Sequence, residues 1–239
     1  MASTDFTACT GNLAAGVVQG VTDSAPSGVP NGGGTFCYGI GRTAAGADGA
    51  VAHFYNAAGW TPTAKAGRIM GAMDKEGKGT DTGNNLVYAP FIFLNCQGSN
   101  ITDNAYYLGL TEEEPARIML AKGPLNGGLD PSDTDILLSV SSTSFVKGTW
   151  VHLRLDAIEQ PSGDVLLKVF QNADLATNAV TSPVWTAVAG MADFTDDALG
   201  YNTGTAPLTT GRMGFGMRMG TETGRYCYFD HFQPQKDNT

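Results

Sequence analysis

Basic residues are scarce in this sequence. Charged residues make up 15% of it, against about 25% in an average soluble protein. The 14 Lys and Arg are outnumbered by 23 Asp and Glu, and the net charge is −9. A protein that binds nucleic acid needs basic side chains gathered on one face to neutralise phosphates. We therefore expect no nucleic-acid partner.

Long apolar runs are also missing. The first 24 residues have no basic stretch at their start, and Gly, Gln and Thr interrupt their apolar residues. A secretory signal needs a basic start and an unbroken apolar stretch, and a helical membrane span needs about 20 apolar residues. The sequence therefore predicts no signal peptide and no membrane association, and it favours synthesis in the cytosol.

Cysteine is represented by four residues whose spacing fits no common metal motif, namely Cys9, Cys37, Cys96 and Cys227. Thiols in the cytosol are reduced by default. Cys37 and Cys227 nonetheless lie in similar contexts, each with an aromatic residue on both sides, and the first and last strands of many sandwiches are neighbours. Two alternatives are open for this pair, a disulfide or two buried apolar thiols.

The residue patterns of common active sites are absent as well. There is no Glu-x-Asp-x-x-Glu strand to place two carboxylates for glycoside hydrolysis, and no Gly-x-Ser-x-Gly elbow for a serine nucleophile. His53, His152 and His231 show none of the spacings of a histidine metal site, and we expect them to be structural or surface residues. The sequence thus predicts a protein without enzymatic activity. A glycan hydrolase with an atypical acid pair is the less favoured alternative.

Glycine, by contrast, is abundant, and many segments alternate between apolar and polar residues. Gly accounts for 32 of 239 residues, and alternation between turn residues is typical of half-buried strands. It is clearest at 149–158, 164–173, 211–220 and 225–234, and we predict further strands at 35–44, 50–57, 67–73, 86–98, 104–110, 116–123 and 135–142. This succession predicts an all-β antiparallel sandwich. Pro90 predicts that its strand lies at an edge or contains a bulge.

Residues 1–34 differ from the rest and predict an extended N-terminal arm ahead of a sandwich domain at 35–239. Ala, Gly, Ser, Thr and Pro dominate this segment, which is typical of a flexible connector. Leu13, Val17, Val18 and Val21 fit a short docked helix, and a loosely packed terminus fits equally well. Because an extended arm can reach a neighbouring subunit, we expect a homo-oligomer.

Two of the closing strands carry the candidate ligand-binding residues. Trp150, His152 and Arg154 share one face of their strand, opposite Val151, Leu153 and Leu155. Farther along, Arg212 and Arg218 share a face with two glycines, which in a strand often mark the close approach of a ligand. We expect one sheet to present these residues as a recognition surface, formed by Trp150, His152, Arg154, Arg212 and Arg218. An ordinary solvated face is the alternative.

A loop rich in carboxylates is a candidate calcium site. Asp130, Asp133 and Asp135 place three carboxylates within six residues, and calcium favours such clusters of oxygen ligands. Asp-Pro-Ser-Asp is also common turn chemistry, so a turn without metal is the alternative. A second acidic cluster at Asp193, Asp196 and Asp197 is a weaker candidate. Apart from calcium, no cofactor is expected.

The closing strands also carry a family resemblance. The segments at 150–155 (WVHLRL) and 165–172 (VLLKVFQN), followed by Trp185, Gly214-Phe-Gly216 and Tyr228-Phe-Asp230, resemble the last strands of concanavalin-like, laminin-G-like jelly rolls. The resemblance implies two curved antiparallel sheets, a binding module for carbohydrate or protein, and calcium in rim loops. The segment at 104–129 is similar to structural proteins of tailed-phage virions, some of which use this fold.

These observations lead to two functional hypotheses. The first is a non-enzymatic phage virion structural protein, a capsid decoration or tail component, made in the host cytoplasm and assembled with other virion proteins or copies of itself. It is based on the arm, the missing signal peptide and a jelly roll without catalytic residues. The alternative is a lectin-like module that binds a surface glycan through Trp150, His152, Arg154 and the rim loops.

Overall fold

The structure, a computed structural model, describes residues 7–8, 17–22, 29–44, 50–55, 66–77, 88–98, 103–124, 137–146, 148–197, 205–220 and 225–236. The regular elements in these ranges are strands: β1 (Thr7–Ala8), β2 (Val17–Thr22), β3 (Cys37–Arg42), β4 (Ala50–Tyr55), β5 (Ala66–Gly77), β6 (Tyr88–Cys96), β7 (Asn104–Leu110), β8 (Ala116–Pro124), β9 (Leu137–Phe145), β10 (Val151–Glu159), β11 (Val165–Asn172), β12 (Trp185–Ala187), β13 (Phe194–Asp196), β14 (Arg212–Met219) and β15 (Arg225–Lys236). No helix long and apolar enough to span a membrane occurs in the described ranges.

The strands form two antiparallel sheets, which confirms the predicted sandwich. Sheet I has the order β1-β4-β14-β6-β7-β8-β9. Sheet II has the order β12-β11-β10-β5-β15-β3-β2, and β13 pairs with β11 beside β12. The first strand after residue 35 and the last strand of the chain are neighbours, since β3 pairs with β15.

The core lies between the sheets and follows the alternation seen in the sequence. On β10 it receives Val151, Leu153, Leu155 and Ala157, and on β14 Met213, Phe215, Met217 and Met219. The ring of Phe215 lies 5.1 Å from that of Phe229 and 4.8 Å from that of Phe232, which joins sheet I to β15 of sheet II. Burying each such side chain contributes about 1.5–3 kcal/mol to stability.

Two segments of the predicted arm are strands of the sandwich. β1 pairs with β4 at an edge of sheet I, and β2 pairs with β3 over six residues at an edge of sheet II. The short helix predicted around Val17–Val21 is therefore wrong, because this segment extends the ladder of β3. The division of the chain at residue 35 stays a prediction.

A buried ion pair connects the two sheets. Lys122 on β8 lies 2.7 Å from the carboxylate of Asp196 on β13 and donates a second hydrogen bond of 2.8 Å to the carbonyl of Thr205. The hydroxyl of Tyr106 on β7 also donates to Asp196 and accepts a bond from the amide of Leu208. Asp196, predicted as a weak metal ligand, thus neutralises a buried lysine.

The cysteines in the described ranges are thiols. Cys37, Cys96 and Cys227 are buried and are not joined in a disulfide, so the disulfide alternative for Cys37 and Cys227 is wrong. Their strands are neighbours as predicted, but Cys227 faces the core and Cys37 packs beside Tyr228 on the opposite side of the sheet. Cys9 lies outside the described residues.

Candidate functional site

The outer face of sheet II is the side of that sheet turned away from the core. Successive side chains of β10 point to opposite faces of the sheet. Since Val151, Leu153 and Leu155 face the core, the side chains at positions 152, 154 and 156 point outward. The register sets their neighbours: Arg154 lies opposite Phe170 on β11 and Met70 on β5. Asp156 lies opposite Lys168 and Arg68 in the same two strands. The face therefore combines residues about 80 positions apart in the sequence.

Asp156 holds two guanidinium groups in place on this face. It accepts bonds of 2.6 and 2.9 Å from Nε and Nη2 of Arg68, and bonds of 3.0 and 2.6 Å from Nε and Nη2 of Arg154. Burial opposes ionisation of Asp156, but the hydrogen bonds and charges of Arg154 and Arg68 outweigh it and hold the pKa of this carboxyl below its usual value. Asp156 is therefore ionised at neutral pH.

Aromatic rings surround the same guanidinium. The central carbon of Arg154 lies 4.2 Å from the ring centre of Phe170 and 5.7 Å from that of Trp185, both within cation–π range. Phe170 and Trp185 are half-buried and so retain accessible ring surface. On β15, Tyr226 and Tyr228 stack with ring centres 6.3 Å apart, and Trp150 packs against the small cluster formed by Tyr228 and Cys37. The face thus offers flat apolar surfaces next to fixed polar groups.

His152 lies beneath this surface and is fully buried. Its ring centre is 4.8 Å from that of Trp185 and 5.8 Å from that of His231. In the described part of the chain neither ring nitrogen has a hydrogen-bond partner. Burial, with a smaller contribution from His231, lowers the pKa of His152 to about 3. It is therefore a neutral packing residue under Trp185, not the exposed ligand contact that the sequence predicted.

A loop at residues 29–36, here named the crossing loop, covers part of the face next to His152. Asn31 donates to the carbonyl of Ala176 and accepts from the amide of Val180, both in the connection between β11 and β12. A Cβ on Gly33 would lie 2.0 Å from Oδ2 of Asp230, so the loop backbone rests directly on that carboxylate. Burial raises the pKa of Asp230 to about 6. This part of the predicted flexible connector is docked on sheet II.

The five predicted binding residues do not form one surface. Trp150, His152 and Arg154 lie on sheet II, whereas Arg212 and Arg218 belong to β14 in sheet I. Arg218 pairs with Glu112 at 2.6 Å, and Arg212 lies opposite Cys96 on β6. The predicted single recognition surface is therefore wrong, because alternation shows which residues share a face of a strand but not which sheet the strand joins.

The outward side of sheet I is apolar and buried. Gly214 and Gly216, the two glycines that share a face with Arg212 and Arg218, are themselves buried and lie opposite Phe93 and Phe91. Both phenylalanines belong to a second hydrophobic cluster, which contains Ala89, Phe91, Phe93, Cys96, Ala105, Tyr107, Met119 and Ala121. The outer face of sheet II is therefore the candidate site.

The predicted calcium ligands Asp130, Asp133 and Asp135 lie outside the described residues. Among the residues that the structure does describe, no group of three or more His, Cys, Asp or Glu side chains is placed to hold a metal ion. Asp193 and Asp196 each pair with a lysine instead. The calcium site stays a prediction.

Comparison with known structures agrees with this architecture. The carbohydrate-binding module CBM66 from Bacillus subtilis matches with 10% identity over 97% of this chain and 96% of its own, at a TM-score of 0.50. The potassium-bound Emp46p carbohydrate recognition domain matches with 10% identity over 99% and 90%, at a TM-score of 0.51. The PL-14 alginate lyase from Aplysia kurodai matches with 14% identity over 85% and 84%, at a TM-score of 0.49.

At these identities the likeness defines the fold, which is that of the lectin-like, concanavalin-like jelly rolls. No protein-family model and no curated protein matches the sequence.

Proposed function

We propose that the protein is a non-enzymatic carbohydrate-binding module whose ligand lies on the outer face of sheet II. The observation that carries this proposal is the half-buried Trp185 beside the guanidinium of Arg154, which Asp156 and Phe170 hold in place. A sugar ring has apolar C–H faces and a rim of hydroxyl groups. It therefore suits a flat aromatic ring flanked by a few fixed hydrogen-bonding groups.

The polar groups of this face are fixed before any ligand arrives. Asp156 bonds two guanidinium groups, and the ring of Phe170 lies against one of them. Side chains held in this way lose little conformational freedom on binding, which lowers the entropic cost of association. This lower cost matters for a glycan, because its hydroxyl groups lose hydrogen bonds to water when it binds, which leaves little net binding energy.

Two of the structural neighbours are a carbohydrate-binding module and a carbohydrate recognition domain, which supports a carbohydrate ligand for this chain as well. The virion role predicted from the sequence has no comparable support and stays a prediction. The lectin-like alternative is therefore the function that the fold and this face favour.

The test compares two neighbouring substitutions on a panel of polysaccharides by affinity gel electrophoresis. Trp185→Ala removes the stacking surface, and we expect the affinity to fall about tenfold, equivalent to about 1.4 kcal/mol. Val184→Ala is the matched control, because Val184 is 54% exposed and adjacent in sequence. It should bind like the unmodified protein. Equal binding by both variants would refute a site at Trp185, and no retardation by any polysaccharide would refute the carbohydrate function.

A further inference from the structure

We propose, on the basis of the carbohydrate-binding function above, that the glycan is anionic and that its carboxylate or sulfate binds beside Trp185, between Arg154 and Lys168. The chain carries a net charge of −9, yet this part of sheet II gathers positive side chains. Guanidinium and ammonium groups form stronger hydrogen bonds with an anion than with a neutral hydroxyl group.

Two carboxylates hold the positive groups of this face. Asp156 pairs with Arg68 and Arg154, and Asp193 pairs with Lys168. The ion pairs formed by Asp156 and Asp193 differ in burial. Asp156 is buried between its arginines, whereas Asp193 is 68% exposed and lies 3.0 Å from Lys168. Exposed pairs of this kind contribute little, so a ligand anion can replace Asp193 at Lys168 at low cost.

The geometry of Arg154 suits an anion next to the aromatic ring. Its bonds to Asp156 use Nε and Nη2, so Nη1 takes no part in this ion pair. The guanidinium lies 5.7 Å from the ring centre of Trp185, close enough for the charged substituent of a sugar stacked on that ring to contact it. Hydrogen bonds between a guanidinium and an anion are about twice as strong as neutral ones.

The protein as a whole is acidic, with a net charge of −9. A surplus of acidic residues repels polyanions in general, so a preference for an anionic polymer requires a specific positive site. Salt screens interactions between exposed charges, and the preference should therefore decrease as ionic strength rises. Binding that depends on ring stacking alone should not show this dependence.

The test uses two matched pairs of polymers in isothermal titration: polygalacturonate against its methyl ester, and dextran sulfate against dextran. We expect one anionic member to bind about tenfold more tightly than its neutral partner at low salt, and the pair that responds identifies carboxylate or sulfate. Arg154→Gln and, separately, Lys168→Gln should each remove most of this difference. Arg117→Gln is the matched control, since Arg117 lies on β8 of sheet I and forms an exposed ion pair with Glu113.

The outcomes separate this inference from the function on which it rests. Equal affinity for both members of each pair, together with sensitivity to Trp185→Ala, would overturn the anionic ligand and leave the carbohydrate site standing. An anionic preference that both Arg154→Gln and Lys168→Gln leave unchanged would also overturn it. Absence of binding to all four polymers and to the wider panel would overturn both proposals. Lys168 is one-third exposed, so its variant is expected to fold even where Arg154→Gln does not.

Discussion

The imidazole of His152 is packed between Trp185 and His231 and has no exposed surface. Its pKa in the folded protein is about 3, against 6.5 for an ordinary histidine. Between these values the unfolded chain binds a proton that the folded chain does not. The stability that the neutral ring contributes is therefore present above about pH 6.5 and is lost progressively as the pH falls.

Asp230 acts in the opposite direction. Its pKa is raised from 3.8 to about 6, mainly by burial. Between these values the folded protein binds a proton that the unfolded chain does not, so this group makes the protein more stable as the pH falls through 6 towards 3.8. The two residues oppose each other on acidification, and His231, whose pKa is also lowered by burial, adds to the effect of His152.

These signs give a prediction for two variants. His152→Phe keeps a flat ring but cannot titrate, and we expect it to avoid about 2 kcal/mol of the loss in unfolding free energy between pH 7 and pH 5. Asp230→Asn removes the opposing group, so its stability should fall more steeply over the same interval. Urea denaturation at several pH values measures both. The prediction fails if the two variants change the pH dependence in the same direction.

At the scale of the strands, the sequence predicted most elements but not their order. The alternating segments at 149–158 and 211–220 became β10 and β14, with the predicted residues facing the core. Pro90 was expected at an edge or a bulge, yet β6 lies between β14 and β7. The pairing of β6 with β7 begins at Phe91, so Pro90 lies just outside that register. A proline without an amide hydrogen is acceptable there.

The connection between β8 and β13 gives a prediction about stability. Asp196→Asn leaves the fully buried Lys122 without its counter-charge, and breaking a buried pair from one side typically costs about 3–5 kcal/mol. Asp193→Asn is the control, because it breaks only the exposed pair with Lys168, and such pairs are worth less than about 1 kcal/mol. Both are measured by urea denaturation at neutral pH. Similar losses in the two variants would show that Lys122 and Asp196 are not coupled as described.

At the scale of the whole molecule, residues 1–22 are expected to contribute to the stability of the fold. β2 adds six residues to the edge of sheet II through its pairing with β3. Deletion of residues 1–22 should therefore lower the melting temperature while leaving a cooperative transition, since the core residues between the sheets remain. Deletion of residues 237–239, which follow β15, is the control and should leave the melting temperature unchanged. An unaltered melting temperature after the first deletion would favour a detached arm instead.

The candidate site shows where prediction from one sequence ends. Trp150, His152 and Arg154 lie within five residues, and strand alternation alone places them together. Arg68 and Phe170 come from strands on either side of β10, and alternation in their own segments shows only that each points away from the core. Their meeting depends on β5 pairing with β10 across about 80 residues. That choice is made by packing in three dimensions and leaves no local pattern.

The crossing loop at residues 29–36 connects two distant parts of sheet II. It leads into β3, passes over Asp230 on β15 and bonds to the connection between β11 and β12, which lies near the opposite edge of sheet II. The hydrogen-bond ladder of the sheet is open, but this contact ties its two sides together across the outer face. The loop therefore limits how far these two sides of the face can move apart. The spacing between its aromatic rings is accordingly a property of the free protein, and a ligand must match it.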